Sequence, residues 1–383
     1  MKQAPLIVVI YDGINNSVFD SQVVHPLIKM VETNSPKKIV LVSFEKQKPT
    51  AKTIQAKIPH HPSLTFIVCK KLPYMGTLSL HYAAHALKKI LKNYSKYDLQ
   101  ARGPLAGFIC QKASIQSSCN SLTMQARGLL AQEYVYEHSP QNLGLAQLWH
   151  TFRQWQFFNL EKKAYTKSSS QKQPFTIQAV SKALAEYLIT IYDADRATMT
   201  IATHDIPAII APAQLALWKQ EMRKEVEIPA DATVYCYNGS IKPWQCPEQV
   251  ISYFKQKYQE NSKTFLYILT QDKKQFEALI KQHAVPAHAS RVLSVHHKDM
   301  YRYLAAADIG IMFRESHIVN WVSRPTKALE YKAAGLIIEH NNTVSWLLEQ
   351  TKARSLVPQG IEEIKTAQEA KSTEAVLHLN PSS

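Results

Sequence analysis

Lys327 and Glu330 lie three residues apart at the start of a predicted helix that opens after Pro325 and closes at Gly335. Proline is preferred in the first turn of a helix and glycine just past its end. The free N–H groups of a helix start attract anions, and Lys327 adds a positive charge suited to phosphate. Glu330 can accept hydrogen bonds from vicinal hydroxyls such as those of a ribose. The alternative is an i,i+3 ion pair on a helix surface.

A short apolar strand is predicted at 309–313, and it ends in the charged pair Arg314 and Glu315. A polar loop that contains Asn320 and Ser323 then leads to the helix. Ligands of open α/β sheets bind beyond the carboxyl ends of the strands, which favours a site role for this pair over a surface ion pair. Phosphate and diol recognition at one strand–loop–helix junction predicts a nucleotide-sugar site.

A second loop of similar chemistry holds Gly239, Ser240 and Lys242 and follows a predicted strand at 233–237. Glycine lets the backbone approach a ligand, serine can donate to a phosphate, and lysine can neutralise its charge. An ordinary strand-to-helix turn is the alternative. A ligand role is the interpretation that we favour for this loop.

The first half of the chain offers Asp12 and Gly13 at the end of its first predicted strand, and Arg102 and Arg127, each followed by glycine. Arginine suits bidentate contacts with phosphate or carboxylate. Surface charge is the alternative for both arginines. These four residues are candidates for a second ligand site.

Apolar runs alternate with amphipathic patterns along the chain, as in parallel doubly wound sheets. The pattern predicts an α/β protein with two Rossmann-like domains facing a cleft: 1–206, a linker at 207–230, and 231–383 with a C-terminal tail. In the first half, predicted strands lie at 6–10, 38–44, 64–69, 105–110 and 198–202, with helices at 81–93 and 177–192. In the second half, predicted strands lie at 233–237, 264–269, 291–295, 309–313 and 336–338, with helices at 248–258, 273–283, 299–306 and 325–334.

Residues 307–335 carry the pattern Ala-Asp-x-Gly, Arg-Glu, Val-Asn, Ser-x-Pro-x-Lys and Glu-Tyr-x-Ala-x-Gly. This pattern resembles the donor-binding region of glycosyltransferase group 1 (family 4) enzymes, and most of all the bacterial enzymes of surface-polysaccharide synthesis. Weaker matches occur in family order at 12–13, 126–133, 179–184 and 237–245. The resemblance therefore spans roughly residues 7 to 340.

The resemblance implies the GT-B fold and transfer of a sugar from a nucleoside diphosphate to a hydroxyl acceptor, with retention at the anomeric carbon. It implies no bound metal and no cofactor beyond the nucleotide sugar as co-substrate. Lys327 would contact the donor phosphate and Glu330 the ribose. The residues on the acceptor side would be Asp12, Gly13, Arg102 and Arg127. The implied catalytic residues are Arg314, Glu315 and Lys327, and the implied donor-binding residues are Gly239, Ser240, Lys242, Asn320, Ser323, Pro325, Lys327 and Glu330.

Position 322 departs from the family pattern. Many members carry two glutamates eight positions apart, and the second matches Glu330, but position 322 here is Val. Glu315 is the nearest substitute, in a different register. Two alternatives to a transferase therefore stay open: a nucleotide-sugar epimerase, which shares the two-domain plan, and a degenerate nucleotide-sugar binding protein.

Positive charge is concentrated in residues 1–205, which hold 24 Lys and Arg against 12 Asp and Glu, a net +12, whereas the rest of the chain has a net +3. The sequence contains no helix-turn-helix, zinc-finger or RRM signature, which argues against nucleic acid. Solubility is one explanation of the charge, and an anionic membrane surface beside a lipid-linked acceptor is the other. We expect a cytoplasmic protein, because no apolar run approaches the ~18 residues of a membrane span and the five cysteines have no CxxC spacing. The basic charge and the lipid-linked acceptor lead us to expect it at the inner face of the membrane.

Overall fold

The computed structural model describes residues 4–16, 18–33, 38–115, 118–138, 145–169, 171–203 and 206–350 of the 383-residue chain. These residues form two compact units, and the boundary between them falls between residues 205 and 206. The segment 207–230, predicted as a linker, belongs by its contacts to the second unit. The C-terminal tail, predicted to follow residue 360, lies outside the described residues.

The first unit is built on a seven-stranded sheet in which every neighbouring pair is parallel. Its strand order is β3-β2-β1-β4-β5-β6-β7, so the chain reverses its direction of winding between β1 and β4. A reversal of this kind leaves a crevice at the carboxyl ends of the two strands, where ligands bind. The strands are β1 Leu6–Ile10, β2 Ile39–Glu45, β3 Leu64–Lys70, β4 Tyr97–Arg102, β5 Cys119–Ala126, β6 Phe175–Ala179 and β7 Met199–Ile201.

Seven α-helices connect these strands, after a π-helical turn at Asp20–Val24. The central strand β1 is fully buried, as expected for a parallel strand covered on both faces. The helices are α1 His25–Thr33, α2 Ala51–Lys57, α3 Thr77–Leu91, α4 Gly103–Ala113, α5 Leu130–Glu137, α6 Leu145–Tyr165 and α7 Lys182–Tyr192.

Two predictions for the first half are wrong. The apolar run 105–110, predicted as a strand, lies within helix α4, where Gly103 adopts a φ of +75° and Pro104 occupies the first turn. A six-residue apolar run has no periodicity that separates a buried strand from a buried helix. The predicted helix 177–192 is strand β6 followed by helix α7, which begins after Ser181 because that side chain caps the N–H of Leu184.

The second unit contains a five-stranded sheet, also parallel throughout, with the order β10-β9-β8-β11-β12. Its direction of winding reverses between β8 and β11. These two strands pair only over Tyr235 and Cys236 of β8 and then separate toward their carboxyl ends. The strands are β8 Thr233–Asn238, β9 Thr264–Leu269, β10 Ser290–Leu293, β11 Ile309–Met312 and β12 Ile337–His340.

Among the described residues, seven α-helices complete the second unit, and each strand and helix predicted at 233–338 is present. Helix α8 packs here through Arg223, whose guanidinium is buried and donates to the Ala306 carbonyl (2.9 Å) and the Asp308 carboxylate (2.7 Å). The helices are α8 Pro212–Glu225, α9 Pro247–Glu260, α10 Lys273–Gln282, α11 Met300–Leu304, α12 Ile318–Trp321, α13 Thr326–Ala333 and α14 Ser345–Gln350.

The predicted fold class is confirmed: the protein is α/β, with two Rossmann-like units. Each unit has a sheet whose winding reverses once, and so each has its own crevice for a ligand. Within the described residues, no helix is long and apolar enough to cross a bilayer.

Candidate functional site

The candidate site lies where β8 and β11 separate, at the reversal point of the second sheet. Gly239 and Ser240 follow β8, and Arg314 and Glu315 follow β11 after Phe313. The two loops that the sequence singled out therefore leave adjacent strands at the same edge of the sheet. Helix α13 brings Lys327 and Glu330 to the same edge, as the hydrogen bonds below show.

Gln245, in the short helical turn before α9, connects the two loops. Its amide nitrogen donates to the Ser240 hydroxyl (2.7 Å), and its carbonyl oxygen accepts from the Tyr237 hydroxyl (3.0 Å) and the Lys327 ammonium (2.5 Å). The Tyr237 hydroxyl also lies 2.8 Å from the Ser240 carbonyl. Lys327 is thereby held beside the Gly239–Ser240 turn, as expected if both bind one phosphate group.

The electrostatic surroundings of Lys327 disfavour its charge when no anion is bound. Burial and the neighbouring Arg314 guanidinium lower its pKa to about 7, against the opposing effects of Glu330 and Asp272. Two cationic side chains therefore converge on one partly buried place. An anion bound there would relieve their mutual repulsion and favour the charged lysine.

Glu330 is almost fully buried and accepts a hydrogen bond from the side-chain amide of Asn238, the last residue of β8, at 2.8 Å. It also faces Tyr301 of α11, where burial and the nearby carboxylate raise the pKa of the phenol to about 12. Its carboxylate is thus anchored at the crevice between β8 and β11. This is the setting in which a carboxylate can accept hydrogen bonds from ribose hydroxyls.

Tyr331, the next residue, holds the separated strands together. Its hydroxyl accepts from the Asn238 N–H at 2.7 Å and lies 3.4 Å and 3.5 Å from the carbonyls of Cys236 and Ile311. The ring packs directly on Gly310, where an added Cβ would lie 2.5 Å from a ring carbon. The backbone around Glu330 and Asn238 is therefore fixed by one tyrosine.

Changing Tyr331 to phenylalanine should destabilise the second unit by about 1–3 kcal/mol, the cost of leaving a buried N–H without its acceptor. The ring would still fill the space against Gly310, so no cavity forms. Urea unfolding of the full chain measures this loss. Tyr258→Phe is the matched control, because its hydroxyl bonds His288 at an exposed position. Equal unfolding midpoints for the two variants would show that Tyr331 does not have this role.

The loop after β11 is braced by side chains that were predicted to bind the donor. Asn320 is buried and donates to the Glu315 carbonyl (2.9 Å), and Ser323 donates to the Asn320 carbonyl (2.7 Å). Asn341 holds Arg314 by its backbone, accepting from its N–H (3.2 Å) and donating to its carbonyl (2.7 Å). Asn320 and Ser323 thus fix the shape of the loop that carries Arg314.

The remaining predicted donor-side residues are Lys242, Glu315 and Pro325. Lys242 is exposed, with its ammonium 4.7 Å from the Trp244 ring centre, and Glu315 is exposed at the loop surface. Pro325 starts α13, because its carbonyl accepts from the N–H groups of Ala328 and Leu329. Val322, at the register of the first family glutamate, is buried in the protein interior.

Three of the four predicted acceptor-side residues meet at the reversal point of the first sheet. Asp12, Gly13 and Arg102 line one small recess there. Gly13 has a φ of +78°, and an added Cβ would lie 2.7 Å from the buried Glu45 carboxylate. The Arg102 guanidinium donates to the Gln22 side chain at 2.6 Å. Glycine is therefore required at position 13, where the turn approaches Glu45.

Arg127, the fourth, follows β5, and its neighbour Gly128 packs against the Glu133 carboxylate, which an added Cβ would approach to 2.0 Å. Burial raises the pKa of Glu133, and so does the nearby Asp12 carboxylate. The fully buried Glu161 of α6 caps helix α5 by accepting from the N–H groups of Leu130 (2.6 Å) and Ala131 (3.0 Å). This end of α5 is thus fixed beside the recess.

Asp193 and Asp195, spaced as in some metal–nucleotide motifs, form a turn. Asp193 ends α7 with a φ of 57° and pairs with Lys162, and Asp195 caps the N–H of Ala197 at 2.9 Å. Across the described ranges, no cluster of three or more His, Cys, Asp or Glu side chains could hold a metal ion.

Gln245, Asn341 and Asp272 belong to the site but were not assigned to it from the sequence. Asp272 accepts from the Ile241 N–H at 2.9 Å and supports the Gly239–Lys242 turn from the loop after β9. Each of the three follows a strand at the same edge of the sheet. This position in the sequence could have marked them as candidate site residues. Each has at least one partner 27 to 82 residues away, beyond any local pattern.

The chain has the GT-B fold, which it shares with solved structures of low sequence identity. Sucrose-phosphate synthase from Thermosynechococcus elongatus superposes with a TM-score of 0.61 at 14% identity, over 96% of this chain and 89% of that one. WaaG, a glycosyltransferase involved in lipopolysaccharide biosynthesis, gives 0.57 at 14% identity, over 97% and 91%. HepE from Anabaena, in complex with UDP and glucose, gives 0.56 at 12% identity, over 90% and 82%.

These likenesses are likenesses of fold. No protein-family model matches the chain, and no curated protein matches it by sequence.

Proposed function

We propose that this protein is a glycosyltransferase that moves a sugar from a nucleoside diphosphate to a hydroxyl acceptor. The observation that carries the proposal is the convergence of Lys327, Arg314 and the Gly239–Ser240 turn, one helical turn from the buried Glu330 carboxylate. Fixed cations and a hydroxyl suit a diphosphate, and a carboxylate suits a ribose. The GT-B fold of the solved structures supports the same reaction.

The chemistry would consist mainly of stabilising the departing diphosphate. As the bond between the sugar and the diphosphate breaks, negative charge grows on the phosphate oxygens. Lys327, Arg314 and the first turn of α13 provide positive potential there without rearrangement. Retention at the anomeric carbon is part of the proposal and follows from the family resemblance.

UDP is the first nucleotide to test, because the HepE structure of similar fold holds UDP and glucose. The acceptor would bind to the first unit, where Asp12, Gly13 and Arg102 line the recess. We propose a role in cell-surface polysaccharide or glycolipid synthesis, with a sugar or lipid-linked acceptor. The fold shared with WaaG, of lipopolysaccharide biosynthesis, supports this choice.

Turnover should be independent of divalent metal, because the proposed charge compensation comes from Lys327 and Arg314. Activity measured by release of UDP should therefore be unchanged, within about twofold, when EDTA replaces Mg²⁺. Activity that disappears with chelator and returns with Mn²⁺ or Mg²⁺ would contradict the fixed-cation mechanism.

An epimerase is the alternative enzyme, and a non-catalytic binding protein is the alternative suggested by Val322. Prolonged incubation with UDP-glucose and UDP-N-acetylglucosamine, followed by NMR, separates the three. A transferase should slowly hydrolyse one donor and release UDP with a free sugar of unchanged ring configuration. A nucleotide sugar inverted at C2 would identify an epimerase, and tight binding with no product would identify a binding protein.

We place the protein in the cytoplasm, at the inner face of the membrane. This proposal rests on the net charge of +12 in residues 1–205, compared with +3 in the rest of the chain. Each Lys or Arg close to an anionic bilayer contributes roughly 1 kcal/mol, screened by salt. Binding to anionic vesicles should therefore fall as salt rises.

A further inference from the structure

One face of helix α6 exposes large apolar side chains in a row. Leu148, Trp149, Phe152 and Trp155 are 68%, 59%, 41% and 46% exposed. Positions 148, 152 and 155 fall on one side of a helix, and Trp149 flanks them. Phe152 lies 5.7 Å from Trp149 and 6.0 Å from Trp155 between ring centres, so the rings form a continuous band.

The opposite side of α6 accounts for the packing of the helix. Leu160, Glu161 and Ala164 are buried there, and Glu161 makes the cap of α5 described above. The exposed row therefore lies outside the core of the first unit. Exposed apolar patches of this kind mark interaction surfaces.

The loop between β3 and α3 extends the row. Tyr74 lies 5.4 Å from Phe157 of α6 between ring centres, and the Arg153 guanidinium lies 4.8 Å from the Tyr74 ring. The next residues include Met75 and Leu78, which are 57% and 71% exposed. We call Met75, Leu78, Leu148, Trp149, Phe152 and Trp155 the aromatic face.

The two chain segments that carry this face are strongly basic, although Asp193 of α7 pairs with Lys162 near the far end of α6. The segments, 70–96 and 145–167, contain ten Lys and Arg and a single acidic residue, Glu161. That carboxylate is fully buried, so neither segment presents an acidic side chain to solvent. Tryptophan and tyrosine beside lysine and arginine are the combination that suits the boundary between lipid head groups and acyl chains.

The face also begins beside the candidate acceptor recess. Lys71, three residues before Tyr74, donates to the Tyr11 carbonyl at 2.6 Å, and Asp12 is the next residue. A surface that contacted lipid through Met75 and Leu78 would therefore lie near the side chains proposed to meet the acceptor.

We propose that the aromatic face seats the first unit on an anionic lipid bilayer, with its rings at the head-group boundary and the surrounding lysines on anionic lipid. The proposal deepens the proposed function by naming the membrane-contacting residues, and it rests on that function only for the identity of the acceptor. The binding itself requires no nucleotide.

The test uses the full chain and sedimentation with vesicles of phosphatidylglycerol and phosphatidylcholine. The variant Trp149→Gln/Phe152→Gln/Trp155→Gln removes the band while keeping good helix formers in α6. The control, Leu217→Ser/Ile337→Ser, removes two exposed apolar side chains of the second unit, 51% and 68% exposed. Circular dichroism and UDP titration verify that each variant is folded.

We expect the triple variant to lose at least about tenfold in the partition onto anionic vesicles, with UDP affinity unchanged, and the control to bind like the wild type. Wild-type tryptophan fluorescence should shift to the blue with anionic vesicles and much less with phosphatidylcholine alone.

Equal partition of wild type and triple variant, or no wild-type binding, would overturn the proposal. So would a wild-type dimer in lipid-free sedimentation velocity that the triple variant lacks, because the face would then bind a second copy. UDP titration reports on the proposed function separately.

Discussion

Replacing Lys327 with methionine should lower the rate of sugar transfer, or of slow donor hydrolysis, by about 10²–10³-fold. That is the usual effect of removing one fixed group that stabilises charge in a transition state. Methionine keeps much of the apolar stem, so the fold should survive. Lys332→Met is the matched control, because Lys332 lies on the same helix and bonds Gln350 at an exposed position.

A loss of less than about threefold in the Lys327 variant, with Lys332→Met behaving alike, would remove Lys327 from the mechanism. The unfolding midpoints of both variants should be measured beside the rates. A folded enzyme with a selective loss at position 327 is the expected result.

The lowered pKa of Lys327 adds a dependence on pH. In the free site the lysine loses its proton as pH rises through about 7, and a bound diphosphate should raise that pKa. Binding should then take up a proton above pH 7, and affinity should fall as pH rises further. UDP-glucose is the suitable probe, because its diester phosphates do not titrate in this range. The dependence should vanish in Lys327→Met.

Changing Glu330 to alanine should weaken nucleotide binding by about 1.5–3 kcal/mol, the range for hydrogen bonds to a charged group. The ribose loses its acceptor, which weakens binding, whereas the Asn238 amide loses its partner in the free and the bound protein alike, which lowers stability. Glu330→Gln should fall between wild type and alanine, because it keeps an acceptor oxygen without the charge. Glu277→Ala, exposed on α10, is the control. Unchanged affinity in folded Glu330→Ala would contradict the ribose assignment.

The fold of the second unit was accessible from its sequence because its elements alternate cleanly. Strand β9 is a six-residue apolar run, and α10 is an amphipathic helix with buried Phe276, Leu279 and Ile280. In the first unit β4 and β5 are polar in sequence, with Asp98, Gln100 and Thr123 among their residues. Apolar pattern therefore directed the strand prediction to 105–110, which is the helix behind them.

Residues of the candidate site could be predicted only where they lie close together in the sequence. Lys327 and Glu330 are three residues apart, and proline before them marks the helix start. Gln245 and Tyr331 act through partners 82 and 93 residues away in the chain. No short-range pattern marks a glutamine that joins two loops or a tyrosine that fills the gap between separating strands.

The most direct test of the central claim is a calorimetric titration of the full chain with UDP and with GDP, without metal. We predict one site per chain for at least one of them, weakened in both Lys327→Met and Glu330→Ala and unchanged in Lys332→Met. Absence of binding by either nucleotide, or binding that neither site variant alters, would contradict a nucleotide-sugar site between β8 and β11.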